Sequence, residues 1–242
     1  MLLHTEFYGE GAPLLFLHSG AETSQTDYQN QKSYFMNAYQ VIMPDLSGHG
    51  QSGIGDYNSI EELIHLTVED LYQTLAHFNI TKVHLVASSS SALIAIELCN
   101  RYPQLIKTLT MSGLTPIKTD DWDKLFNEDL QHKKAILTNP EADAYFKNLH
   151  VKSDWKKFVS LVLDENWYPF DLASDLSNLR DIPILIMSGE QIIPEIKGIV
   201  HYLDSYKHIH VAVIPFAGHL VHIDQPNMFN QVLELFLKQK AT

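Results

Sequence analysis

A single cysteine, Cys99, occurs in this 242-residue chain, inside an apolar helix-like run. An internal disulfide is excluded, and a buried thiol in a reducing cytoplasm is the expectation. Basic residues are scarce too: 17 Lys and Arg stand against 29 Asp and Glu, a formal net charge of −12. That balance argues against nucleic acid and against an anionic membrane surface as partners. No apolar run reaches the roughly 18 residues that a membrane span requires. The opening Met1-Leu2-Leu3-His4-Thr5-Glu6 lacks a basic segment and soon turns polar, which is not the pattern of a secretory signal. The thirteen histidines include no His-Glu-x-x-His and have no cysteine cluster to join. Neither a metal nor another cofactor is expected. Repeats and low-complexity tracts are absent apart from one run of serines.

What is present is an alternation of short apolar runs and helix-like patterns, in a chain long enough for one large α/β domain with a small insertion. Strands are predicted over 2–8, 12–18, 40–44, 83–88, 106–111, 183–188 and 208–215. Helices are predicted over 27–38, 60–78, 91–101, 195–205 and 227–238. The clearest helix is the one after Ser59-Ile60-Glu61-Glu62, a capping box followed by Leu63, Ile64, Thr67, Val68, Leu71, Leu75 and Phe78 at helical spacing. Residues 115–175 change character, with dense charge, all three tryptophans and no clear strand. The fold class is α/β: a mostly parallel central sheet of about seven strands, helices on both faces, and a helical insertion.

The chain is organised around Lys82–Ala95. Val83 to Val86 suits a buried strand, and Ala92 onward suits a helix packed on it, yet only Ser88, Ser89, Ser90 and Ser91 lie near the junction. Four serines could be a flexible linker, but a linker is not expected between a buried strand and an apolar helix. A strand that turns straight into a helix lifts one side chain above the sheet, provided the positions two before and two after are small. Centring the turn on Ser89 puts Ala87 and Ser91 there. Ser88 still belongs to the strand end and Ser90 should open the helix.

Four features in order resemble the α/β-hydrolase superfamily: the apolar strand into His18-Ser19-Gly20, the Asp45-x-x-Gly48-His49-Gly50-x-Ser52 loop, the serine elbow, and Gly218-His219-x-x-His222-x-Asp224-Gln225-Pro226. The resemblance covers residues 2–240. It implies a core of residues 1–114 and 176–242 with a helical cap at 115–175. Such chains usually open with two antiparallel strands; only one fits before Ala12, so the outermost is expected to be missing. The resemblance further implies Ser89 as nucleophile, His219 as base, and an oxyanion hole made by the N–H of Ser90 and that of Gly20, with Ala21 as the alternative. A serine hydroxyl is a poor nucleophile near neutral pH unless an imidazole takes its proton, which is why the chemistry requires this pairing.

The acid is where the sequence departs from the family. After the strand at 183–188 the usual Gly-x-x-Asp is replaced by Gly189-Glu190-Gln191-Ile192-Ile193-Pro194. Glu190 is the nearest carboxylate and is taken as the triad acid, with Glu195 next. His18 and His49 are expected to orient loops, Asp45 and Ser52 to hold their own turn, and Asp224 to cap the final helix. Trp122, Phe126, Tyr145, Phe146, Trp155 and Trp167 are candidates to line a pocket over Ser89. The resulting expectation is a cytoplasmic serine hydrolase acting on a small, largely apolar ester or lactone-like substrate, compatible with a monomer or a homodimer. The competing expectation is a hydrolase-like small-molecule binding protein that lacks the triad acid and turns over little.

Overall fold

In a computed structural model, residues 1–240 are described. The chain runs through β1 (Thr5–Tyr8), β2 (Ala12–Leu17), α1 (Gln29–Phe35), β3 (Tyr39–Pro44), α2 (Ile60–His77), β4 (Val83–Ser88), α3 (Ser90–Arg101) and β5 (Ile106–Ser112). Then come α4 (Trp122–Thr138), α5 (Pro140–Leu149), α6 (Trp155–Leu161) and α7 (Phe170–Ser174). It finishes with β6 (Ile184–Gly189), α8 (Ile193–Ser205), β7 (Ile209–Ile214), α9 (Val221–Asp224) and α10 (Pro226–Lys240). The seven strands form one sheet in the order β1-β3-β2-β4-β5-β6-β7. Only β1 is antiparallel to its neighbour, and one strand, not two, precedes β2, as the sequence predicts.

Side chains alternate across a strand, so a continuous apolar run feeds two cores at once. Leu14, Phe16, Val41, Met43, Val86, Leu185 and Met187 face one way and meet Phe35 of α1 with Phe229, Leu233 and Leu237 of α10. Leu15, Leu17, Ile42, Leu85, Ala87, Leu109, Ile184 and Ile186 face the other way. They meet Leu71 and Leu75 of α2, Leu93 and Ile96 of α3, and Ile199 and Tyr202 of α8. Leu85 is fully buried at the centre of the second core. Truncating it, Leu85→Ala, is expected to cost about 2–5 kcal/mol in a urea melt, the range for a large-to-small change at a rigid core position.

α2 begins where the capping box puts it. Ser59 Oγ accepts the Glu62 N–H at 3.1 Å, although Glu62 Oε2 takes the Asn58 N–H rather than that of Ser59. α1 is shorter than its predicted span. It starts only after Tyr28, which has φ 55°, because the Asp27 side chain turns inward to buried partners. The strand order reverses between β2 and β4: β3 lies on one side of β2 and β4 on the other. In open α/β sheets the crevice at the carboxyl ends of such strands is where ligands sit, and here the loops after β2 and β4 meet there.

Candidate active site

Ser89 stands between β4 and α3 with φ 59° and ψ −128°. This is a sparsely populated backbone state for a side chain with a Cβ, worth of order 1–3 kcal/mol of strain. The strain is held from both sides. The Ser89 N–H donates to Ser112 O of β5 at 2.9 Å, and α3 begins with the next residue. The unusual serines around it are accounted for. Ser91 Oγ accepts the Ser88 N–H at 3.0 Å and lies 2.9 Å from both Leu17 O and Ser88 O, so its single proton ties the helix start to the sheet. Ser88 Oγ accepts from Ser112 Oγ at 3.1 Å. Ser91 is therefore small enough for the turn and adds buried hydrogen bonds that a glycine there would lack.

His219 reaches this serine from the loop after β7. Its Nε2 lies 2.8 Å from Ser89 Oγ, and its Nδ1 lies 2.6 Å from Glu195 Oε1. With the Nδ1 proton donated to the carboxylate, Nε2 is free to accept the serine proton. Glu195 sits in the first turn of α8, is 2% exposed, and receives a second, longer bond at Oε2 from Ser188 Oγ, 3.3 Å. The positive end of that helix favours its negative charge. Surrounding protein desolvates the His219 ring and pulls its pKa down, but the hydrogen bond and charge of Glu195, with the charges of Asp129 and Asp224, outweigh this. The net direction is up from the ordinary 6.5.

The expected acid, Glu190, is not beside His219. Its Oε1 accepts the Phe216 N–H at 2.8 Å, bracing the loop after β7. The correction is one of position: the carboxylate that meets the imidazole comes after Pro194, inside the first helical turn, instead of in the loop before it. A motif search for Gly-x-x-Asp cannot see that register. An acidic residue just after a proline that opens a helix is the signal that points to it.

Gly20 and Ser90 line the same cavity as Ser89 and His219. A Cβ on Gly20 would lie 3.0 Å from Ser90 Oγ and 3.3 Å from Phe158, so a larger residue there would press on both side chains where the β2 loop meets the elbow. The first N–H groups of a helix lack intrahelical acceptors, and Ser90 is the first residue of α3. Ala21, with φ 62°, also borders the cavity, and its carbonyl accepts from His150 Nε2 at 3.1 Å. Gly113, with φ 67°, backs the site: a Cβ there would sit 3.0 Å from His219 Cε1 and 3.2 Å from Ser89 N.

The cavity measures about 280 Å³. Ile136, Phe146, Phe158, Val159, Val162 and Trp167 give it apolar walls, and Asp129, His132 and Lys133 of α4 add one polar side. Of the six aromatics proposed from the sequence, Phe146 and Trp167 line it. Trp155 is buried against Phe146, Tyr145 is exposed, and Trp122 and Phe126 border a separate cleft. Phe158 was missed because nothing in its spacing sets it apart from packing aromatics.

His18 and His49 act on loops. Burial holds the His18 pKa down, and its ring donates from Nδ1 to Ser19 O and accepts the Leu46 N–H at Nε2, both at 2.9 Å. His49 bonds Ser47 O at 3.1 Å through Nδ1. Asp45 accepts the Gln51 N–H within its own turn but also the Ser24 N–H of the loop after β2, and Ser52 accepts from His4 of the β1 lead-in. Asp224 does not cap the last helix: it accepts the Gly218 N–H at 2.7 Å, fixing the residue before His219.

Compared with known proteins, residues 12–135 match the family model for the alpha/beta hydrolase fold. A strigolactone esterase of Arabidopsis thaliana is 25% identical, the match covering 96% of this chain and 94% of that protein. Among solved structures, a carboxylesterase of the thaumarchaeon Nitrososphaera gargenis superposes with a TM-score of 0.76 at 19% identity, covering 98% of this chain and 94% of that one. A thermophilic esterase from Thermogutta terrifontis gives 0.72 at 20% identity, with 99% and 94% covered.

Proposed function

Because this chain belongs to the α/β-hydrolase family, we propose that it is a serine hydrolase that cleaves a small, largely apolar ester or related acyl substrate through an acyl-enzyme on Ser89. The observation that carries the reading is the unbroken chain from Ser89 Oγ to His219 at 2.8 Å and on to Glu195 at 2.6 Å, set on a strained turn. The family alone hosts several chemistries, so the site has to make the choice. Ser89 Oγ attacks the carbonyl carbon as its proton passes to His219 Nε2. The oxyanion is held by N–H groups at Ser90 and at Gly20 or Ala21, each such donor being typically worth about 3–4 kcal/mol. Collapse expels the alcohol, which leaves with the proton from His219. A water then gives its proton to the same nitrogen as it attacks the acyl carbon; the bond from that carbon to Ser89 Oγ breaks, His219 returns the proton to Ser89 Oγ, and the acid departs.

The apolar cavity walls support a small apolar group on the substrate, and the run α4–α7 is read as a cap over it. The contact of Glu195 with His219 supports this reading over the competing one, a binding protein without an acid. Among the described residues no helix is long and apolar enough to cross a membrane.

Labelling with a fluorophosphonate, followed by peptide mass mapping, tests the reading: the adduct is expected on the peptide bearing Ser89. A folded protein that stays unlabelled would refute it. The pH profile is a separate check. A base must be neutral to work, and the His219 pKa is raised from 6.5. The acid limb of kcat/KM, which reports groups of the free enzyme, is therefore expected to rise through a midpoint above 6.5. A midpoint below that value would mean that Glu195 does not act on the imidazole as described.

A further inference from the structure

Beneath the site lies a second imidazole–carboxylate pair that the proton path does not use. His222 Nε2 donates to Asp27 Oδ1 at 2.6 Å, and both side chains are fully buried. Asp27 Oδ1 also accepts the Tyr28 N–H at 3.0 Å. Its Oδ2 accepts both the N–H and the hydroxyl of Ser19, at 2.8 and 2.9 Å. Four donors converge on one carboxylate. Tyr28 stacks on the His222 ring with centroids 4.1 Å apart, and Gln31 Nε2 donates to the His222 carbonyl at 3.0 Å. Burial works against the Asp27 charge, but the bonds and charge of His222 and the Ser19 donors outweigh it and hold the pKa at about 2.

A buried pair of this kind is a weak source of net stability, because desolvation offsets much of the attraction. Its location is more informative. Ser19 directly precedes Gly20, and His222 follows His219 by three residues, in the helix α9 that closes the base loop. One carboxylate is thus bonded on one side to the loop that supplies an oxyanion donor and on the other to the segment that carries the base. We infer that Asp27 and His222 are positioning residues of the hydrolysis, holding the Ser19–Gly20 loop and the His219 loop in fixed relation. The inference rests on the acyl-enzyme reading. Oxyanion donors and base must both be in place when charge develops, and substrate binding in the ground state needs neither. Loosening the pair therefore weakens contacts made only in the transition state and lowers kcat rather than raising KM.

The test is the hydrolysis of p-nitrophenyl butyrate by wild type, His222→Ala, His222→Gln and Asp27→Asn, each checked for folding by circular dichroism. His222→Ala is expected to lose about 10- to 100-fold in kcat with KM within about twofold, less than removing an oxyanion donor outright. Its acid limb is expected to stay where wild type has it, since Glu195 is untouched. His222→Gln keeps an N–H able to reach Asp27 and is expected to recover to within about threefold of wild type. If His222→Ala does not fold, Asp27→Asn, which keeps the shape and loses the charge, carries the comparison, with kcat again expected to fall alone. Folded variants with wild-type kcat and only a lower Tm would reduce the pair to a structural role and overturn the inference, as would a rise in KM alone. A wild type inert to fluorophosphonate overturns the acyl-enzyme reading and this inference together. A labelled, active wild type with unaffected variants overturns this inference only.

Discussion

Ser89→Ala is expected to lower kcat for an activated ester on the order of 10⁶-fold, the scale seen when the nucleophile is removed from a serine protease triad. Alanine keeps the Cβ, so the strained φ of 59° and the bond from Ser89 N to Ser112 O need not change. The cavity wall loses only one hydroxyl, so KM is expected to hold while turnover collapses. The neighbouring hydroxyls offer no substitute. Ser88 Oγ is bonded to Ser112 inside the sheet, and Ser91 Oγ is committed to Ser88 and Leu17. Ser90 is the one other serine of the run that borders the cavity. A steady-state assay of purified Ser89→Ala beside wild type decides the point. Retention of more than roughly one per cent of wild-type kcat would place the nucleophile elsewhere, because uncatalysed and binding-only contributions lie far below that level. Ser90 would then be the next residue to remove.

How much of this was legible in the sequence follows from how local each signal is. The two-faced strands and the α2 cap depend on neighbours a few residues away, so alternation and a capping box were enough to place them. The elbow was legible as well, because a sharp strand-to-helix turn constrains the residues on either side of it, and Ala87 and Ser91 meet that constraint. Glu195 was harder. Its place beside His219 is set by where the first turn of α8 lies relative to a loop 24 residues further on, a distance in space that the Gly-x-x-Asp spacing does not encode. Glu190 is the carboxylate nearest the strand end in the sequence, but in the fold its Oε1 accepts the Phe216 N–H. Asp224 shows the same limit: its spacing from Pro226 suggests a cap, and the fold spends it on Gly218 instead. The Asp27–His222 pair joins residues 195 positions apart and was invisible before the chain was folded.

Glu195→Gln is expected to lower kcat by about 10⁴-fold, the loss measured when the acid of a serine protease triad is turned into its amide. The change is nearly isosteric, and the carboxylate it replaces is buried, so the effect comes from chemistry at one bond. With the carboxylate, Nδ1 of His219 must carry the proton, and Nε2 is left to accept from Ser89. An amide can present its N–H₂ to Nδ1, which moves the ring proton to Nε2 and blocks the transfer. It also removes the charge that steadies the imidazolium as it forms. The same charge holds the His219 pKa up, so its loss should shift what activity survives toward lower pH, an acid limb below that of wild type. Glu190→Gln is the matched control. Its Oε1 meets only the Phe216 N–H among the described residues, and an amide oxygen can accept that bond, so turnover and acid limb should stay near wild type. The opposite pair of results, a silent Glu195→Gln and an impaired Glu190→Gln, would return the acid to the loop and break the proton path drawn from Ser89 to Glu195. A drop of the expected size with a downward-shifted limb ties rate and basicity to one carboxylate, which a residue acting only through packing does not do.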